Sequence, residues 1–177
     1  LVDFAGTSPQ NPSPLNSVLG YTQAYSTYAL KCVLLPDVPN NEGNFRPITI
    51  QAPDGCFLNP KYPAAVEARA TVGHYCTSAI FNTLAKALPD RVPAESGIPL
   101  HGFAMSGWNN DARPFSTIFF FNGGQGARPD QDGISTLSFP TNVSTTPVEV
   151  LERGVPVRIH DKSFLPGSGG AGRERGG

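Results

Sequence analysis

Two glycine-rich segments place arginines and carboxylates close together: GGQGARPDQDG (Gly123–Gly133) and LPGSGGAGRERGG (Leu165–Gly177). In the second, the glycines from Gly167 to Gly172 let the main chain approach a ligand closely, and successive N–H groups suit an anion. Ser168 and Gly169 lie in that run, and Arg173 and Arg175 add positive charge beside it. In the first, Arg128 and Asp132 stand four residues apart across a turn and are expected to pair. Both segments also have a plainer reading. Glycines supply positive φ in loops, and arginines clamp those loops through neighbouring carboxylates. Neither segment is GxxxxGK followed by Ser or Thr, and no GxGxxG follows a strand, so neither nucleotide-binding motif stands in its required context.

Other candidates are sparser. Arg46 and Arg69 sit inside apolar segments, where a guanidinium must pair or reach water. Pairing with Glu67 or Asp54 is one reading, and clamping a substrate carboxylate is the other. His74, His101 and His160 share no metal-ligand spacing, and His74 is expected to be packed or exposed on a helix. His160 and Asp161 are adjacent, so on a strand they would point to opposite faces. Ser106 lacks the flanking glycine of a nucleophile elbow, and no catalytic triad is supported. Cys32, Cys56 and Cys76 are odd in number with no CxxC spacing, so they read as buried free thiols. No catalytic residue and no metal ligand is assigned from these patterns.

The elements that must position these residues follow from periodicity. Asn16 or Ser17 is expected to cap a helix in which Val18, Tyr21, Tyr25, Tyr28, Cys32 and Leu35 share the core face, with Pro36 as its stop. A second helix is expected from Thr71 to Leu88. Its apolar face takes in Val72, Tyr75, Ala79, Thr83 and Ala87 as well as Cys76, Ile80, Leu84 and Leu88. Val2–Phe4, Arg46–Ala52 and Cys56–Leu58 read as short strands. After Pro99 the character turns to β, with strands expected over Leu100–Met105, Phe115–Phe121, Ile134–Phe139 and Val155–His160. The run Phe119-Phe120-Phe121 lacks polar alternation and is expected to be covered on both faces. Thr146-Pro147-Val148-Glu149 reads as a capping box opening a short helix that Gly154 closes. The fold class is α+β, with helices mainly in the first half and mixed or antiparallel strands mainly in the second.

Composition bounds the rest. The chain has 177 residues and 39% hydrophobic content, enough for a core. Net charge is −1, which leaves no electrostatic case for nucleic acid or an anionic membrane. No apolar run approaches the ~20 residues that span a bilayer, and no signal peptide is visible. A cytoplasmic protein is expected. The chain starts at Leu1, and its only methionine is Met105. It is therefore expected to be an internal piece of a longer protein, a single domain segment over residues 1–177 incomplete at both ends. Such a piece should expose an apolar face.

Six segments in order resemble the B-type subunit of the hydantoinase B/oxoprolinase family. They are VDFAGTSPQ (Val2–Gln10), LPDVPNNEGNFRPITIQAPDGCFLNP (Leu35–Pro60), YPAAVEARA with the helix and ALPDRVPA (Ala87–Ala94) after it, GGQGARPDQDG, NVSTTPVEVLE and PGSGGAGRERGG. The family's relatives include N-methylhydantoinase, 5-oxoprolinase and the acetone and acetophenone carboxylases. The resemblance implies an ATP-dependent amidohydrolase that opens a lactam or imide ring, or else a ketone carboxylase. A non-catalytic scaffold segment is the alternative of a different class. It also implies an A-type subunit or fused domain that binds ATP and phosphorylates the carbonyl oxygen. A divalent metal is implied in an upstream part, with no cofactor held by this segment. The residues carried over as substrate or anion contacts are Arg46, Arg69, Arg128, Asp132, Glu149, Arg173 and Arg175, with Ser168 and Gly169 in the last motif. One departure is Gly167, which stands where the family pattern has a polar, often acidic residue. The isolated segment is expected to be inactive.

Overall fold

The tyrosine-bearing segment forms helix α1 (Leu19–Leu34), and a second long helix, α3, runs from Arg69 to Ala85. Between them lie a single turn, α2 (Glu42–Phe45), and a two-residue strand, β2 (Ile50–Gln51), paired in parallel with β1 (Val2–Asp3). The computed structural model describes residues 1–97 and 100–177. Pro99, where the β character begins, lies outside the described residues. The chain divides into two units, Leu1–Pro93 and Ala94–Gly177. The second holds the antiparallel hairpin β3 (Leu100–Trp108) and β4 (Pro114–Asn122) and the short helix α4 (Val148–Gly154). The α+β class thus holds, with long helices early and the antiparallel pair late.

The first unit packs α1 on α3 through small and polar residues. The buried row of α1 is Thr22, Ser26, Ala29 and Val33, one position away from the expected tyrosine stripe. Val18, Tyr28, Cys32 and Leu35 are exposed, so Cys32 is not the buried thiol expected. The reason lies on the partner helix. Gly73 leaves room for a tyrosine ring: a Cβ there would stand 2.5 Å from Cε1 of Tyr21. Tyr21 and Tyr25 stack over that gap at 4.8 Å, flanking the buried row rather than filling it. Of the expected row with Cys76, Cys76 and Ile80 are buried and Leu84 and Leu88 half-buried, while Tyr75, Ala79 and Thr83 on α3 face solvent. Cys56, Leu58 and Cys76 form a core cluster with Phe4, Ala52 and Val72 against it. Burial there pushes the Cys76 thiol up to about 11, so it stays a neutral packing group.

Neither Asn16 nor Ser17 caps α1. The N-cap is Val18, with no side-chain bond, and Asn16 instead is fully buried and holds the preceding loop. Arg46–Ala52 is not one strand, because Pro47 and an Ile48 N–H bond to the Phe45 carbonyl keep its start turned. Only Ile50–Gln51 reaches a partner. Cys56–Leu58 makes isolated bridges, to Pro9 and Asn59, rather than a strand.

His74 sits at the helix contact, 5% exposed, with its ring 5.5 Å from that of Tyr25 and its Nε2 unpartnered. Burial lowers its pKa below the ordinary 6.5. The folded state therefore binds fewer protons than the unfolded one. Stability is intact above about pH 6.5 and falls as the pH drops from there toward the folded-state value. We expect the denaturant midpoint to decrease over that interval, and less so in His74→Gln. Equal pH slopes for the two proteins would contradict a buried neutral imidazole.

In the second unit, β3 and β4 pair from Leu100↔Asn122 to Trp108↔Pro114. The strands run longer than expected because Asn109 organises the turn: its Oδ1 accepts the Asp111 and Arg113 N–H groups at 3.0 and 2.8 Å. Phe119 is buried at 3% exposure, whereas Phe120 and Phe121 are half-buried and Ile118 is exposed, so the strand is not fully covered on both faces. Trp108 and Ile118 lie on one uncharged, exposed face of the hairpin.

Two expected strands do not form. Ile134–Phe139 is broken by Thr136, whose φ of 54° is incompatible with an extended chain. Val155–His160 contains Pro156, and its Ile159 N–H is taken by the Glu152 carboxylate at 2.7 Å. The capping box is also absent. Pro147 is the N-cap and α4 begins at Val148, so Glu149 sits one position too early to reach back. The Thr146 carbonyl accepts from Lys162 Nζ instead.

Candidate functional site

The two glycine-rich segments close on each other. The Arg175 N–H donates to the Asp132 carboxylate at 2.7 Å across 43 residues of sequence. The Gly133 N–H donates to the Arg175 carbonyl at 2.7 Å, and the Gly177 N–H to the Gln125 carbonyl at 2.9 Å. Gln125 N–H in turn bonds the Ile134 carbonyl, and Gly176 N–H the Gly170 carbonyl, each at 2.9 Å. The glycines are there because nothing larger fits. A Cβ at Gly124 would overlap the Gly177 carbonyl, one at Gly133 the Gln125 carbonyl, and one at Gly169 the Gly176 carbonyl. Gly126 is likewise closed by Ala94 and donates to the Ser96 hydroxyl at 2.9 Å. At these four positions the need is space rather than positive φ. Gly167, with φ of 75°, is the one that needs left-handed backbone.

Arginines lock the outside of this seam. Arg128 donates through Nε and Nη2 to the Asp132 backbone carbonyl at 3.4 and 3.2 Å. The expected pair is therefore made to the Asp132 main chain, while one oxygen of its carboxylate accepts the Arg175 N–H. Arg173 Nη2 bonds the Pro129 carbonyl, and its Nε stands 3.8 Å from Glu174. Arg175 is held only by its main chain. Its guanidinium makes no ion pair or hydrogen bond among the described residues.

The seam walls two clefts of about 480 and 490 Å³ that share Gly123, Gly124, Ser168, Gly176 and Gly177. The first is lined by Arg175 and Asp132 as its charged groups, with the hydroxyls of Ser135, Thr136, Ser163 and Ser168. The second carries Glu95, His101 and Glu174. Thr136 holds a left-handed φ that a β-branched residue rarely adopts, a strain of the kind that collects at functional sites. Its carbonyl accepts from Asn122 Nδ2 at 3.2 Å, while Asn122 Oδ1 is buried without a partner. A buried oxygen left unbonded costs about 1–3 kcal/mol.

The structure thus gathers Arg128, Asp132, Ser168, Gly169, Arg173 and Arg175 in one seam. Glu149 is exposed on α4, outside it. Arg46 and Arg69 belong to the first unit. Arg46 pairs with Glu42 at 3.9 Å, four residues before it, and Arg69 opens α3 and bonds the Val66 carbonyl at 3.2 Å. Neither pairs with Glu67 or Asp54. Asp54 accepts instead from Asn59 at 3.0 Å. Sequence reasoning missed Asn122, Ser135 and Thr136. Asn122 precedes the Gly-Gly step and is readable as a strand end, whereas nothing in the sequence marks the φ of Thr136.

Among the described residues no three His, Cys, Asp or Glu side chains converge, so they offer no ligand set for a divalent metal. No helix there is long and apolar enough to cross a membrane.

Relatives align over nearly the whole chain. A protein of Pseudomonas sp. strain NS671, named as a candidate B-type subunit of a D-/L-hydantoinase, is 32% identical over 99% of this chain. A 5-oxoprolinase of Arabidopsis thaliana is 30% identical, also over 99% of it. An uncharacterized protein of Methanocaldococcus jannaschii is 40% identical over the same share. The chain spans 31% of the length of the Pseudomonas and Methanocaldococcus proteins and 13% of the Arabidopsis one. A family model described as Hydantoinase B/oxoprolinase matches residues 1–177. The chain belongs to the hydantoinase B/oxoprolinase family.

Proposed function

We propose that this chain is part of the B-type subunit of an ATP-dependent amidohydrolase that opens a lactam or imide ring. The substrate is of the hydantoin or 5-oxoproline type, as the names of the relatives indicate. The observation that carries this reading is the seam. The two family motifs richest in glycine are the segments that build the strained, hydroxyl-lined cleft.

The division of labour follows from amide chemistry. An unstrained amide is a poor electrophile. Transfer of a phosphate from ATP to the carbonyl oxygen, on an A-type partner, makes that carbon electrophilic. Water adds to it, the C–N bond breaks with the ring nitrogen leaving as the protonated amine, and the acyl phosphate left behind is cleaved by a second water to carboxylate and phosphate. In this chain, Asp132 and Arg128 set the position of the seam. Its close-packed glycine backbone forms a fixed wall against which a small flat ring can lie, and preset geometry of this kind is what positions a reactant. The hydroxyls of Ser135 and Ser168 are neutral donors suited to ring carbonyls.

Reconstitution tests the reading. Mixed with its A-type partner, the protein carrying this chain is expected to consume ATP only when a hydantoin or 5-oxoproline is present, and each component alone should be silent. Ring opening by this chain without the partner would contradict the split site.

A further inference from the structure

We infer that Arg175 is the specificity-determining residue of the cleft and anchors a carboxylate carried on the cyclic amide. The inference rests on the proposed ring-opening function and adds to it which rings the site prefers. Three observations support it. First, Arg175 has its main chain held on both sides, by the Asp132 carboxylate and the Gly133 N–H, so its Cα is fixed independently of its side chain. Second, its guanidinium is uncommitted although an acid lies at hand. Arg128 and Arg173 are spent on carbonyls of the same seam, whereas the exposed Arg175 guanidinium pairs with nothing among the described residues. Asp132 touches its backbone N–H without pairing with its side chain. Third, it lines the cleft whose wall includes the strained Thr136.

The cleft lining has one acid and one base, so a bare anion gains no net attraction there. A ligand that presents a carboxylate at one end and a neutral amide at the other matches it better. The guanidinium fork binds a carboxylate bidentately, and the hydroxyls face the ring.

The test compares 5-oxoproline with 2-pyrrolidinone, the same ring without its carboxylate, on the whole polypeptide carrying this chain. Calorimetric titration of the unaltered protein is expected to show 5-oxoproline binding about 10- to 100-fold more tightly. Arg175→Gln should erase that difference while leaving 2-pyrrolidinone affinity and the melting temperature unchanged, because the seam bonds of this residue are main-chain bonds. Arg175→Lys should restore part of it. Retained preference in Arg175→Gln would overturn the inference, as would equal loss for both rings or no binding of either. Inorganic phosphate serves as competitor. If it displaces 5-oxoproline at lower concentration than acetate does, the guanidinium serves phosphate and the carboxylate assignment falls. The broader reading fails separately: carboxylate preference in calorimetry with no ATP-dependent turnover in the reconstituted enzyme would sink the amidohydrolase and leave Arg175 as a carboxylate anchor.

Discussion

Gly124→Ala is expected to destabilise the protein by about 3–5 kcal/mol, an effect at the top of the range for a single substitution. The added methyl meets the Gly177 carbonyl, a backbone atom that cannot rotate aside. Relief requires one segment to withdraw, and withdrawal breaks the bonds from Gly177 to Gln125 and from Gly133 to Arg175 together. Overpacking that does find room costs about 1–3 kcal/mol, so the larger figure is specific to a backbone clash. Gly20→Ala is the matched control. Gly20 lies in α1 with open space around it, and alanine there should stabilise by about 0.5–1 kcal/mol through helix propensity. Denaturant midpoints of the two variants should move in opposite directions. A Gly124→Ala midpoint at the unaltered value would mean that the seam is not closed as described.

Asn16→Ala should cost about 3 kcal/mol. The side chain is fully buried and joins three stretches of main chain. Its Oδ1 accepts the Asn11 N–H at 2.8 Å. Its Nδ2 donates to the Asn11 and Ala65 carbonyls at 2.8 Å and to the Ser13 carbonyl at 3.3 Å. Each bond is worth about 1 kcal/mol net, and truncation leaves backbone groups buried without partners. Asn16→Asp should be no better, since it keeps the acceptor but loses both donors and buries a charge. Hydrogen exchange at the Asn11 amide reads the effect locally. Protection there that survives in Asn16→Ala would show that the loop is held by something else.

These two residues also show what can and cannot be read from the sequence. Asn16 precedes a helical pattern, and its residue type suggests a cap. The cap geometry goes to Val18 because the chain turns inward first, and a long-range bond to Ala65 outweighs the local one. The α1 and α3 segments are visible from their spacing and their prolines. Which face of α1 is buried is not, because Gly73 on the other helix selects the small row and sets the tyrosines at its margin. Residues 134–139 and 155–160 have strand composition, but the φ of Thr136 and the bond from the Ile159 N–H to Glu152 take them out of any ladder, and composition alone does not show that.

The site is legible in part. Clustered glycines with Arg128, Asp132, Arg173 and Arg175 mark the right segments. That the segments bond to each other is hidden, since main-chain bonds between distant glycines leave no periodicity. The strain at Thr136 has no signal at all, because its residue type favours the opposite region of φ.

The most direct test of the central claim is stoichiometry in the reconstituted enzyme: ATP consumed against ring opened, with 5-oxoproline or a hydantoin as substrate. The account predicts mole-for-mole coupling, with no ATP loss when the ring is omitted and no ring opening when ATP is omitted. Ring opening without ATP, or ATP turnover that needs bicarbonate and a ketone in place of the cyclic amide, would contradict it.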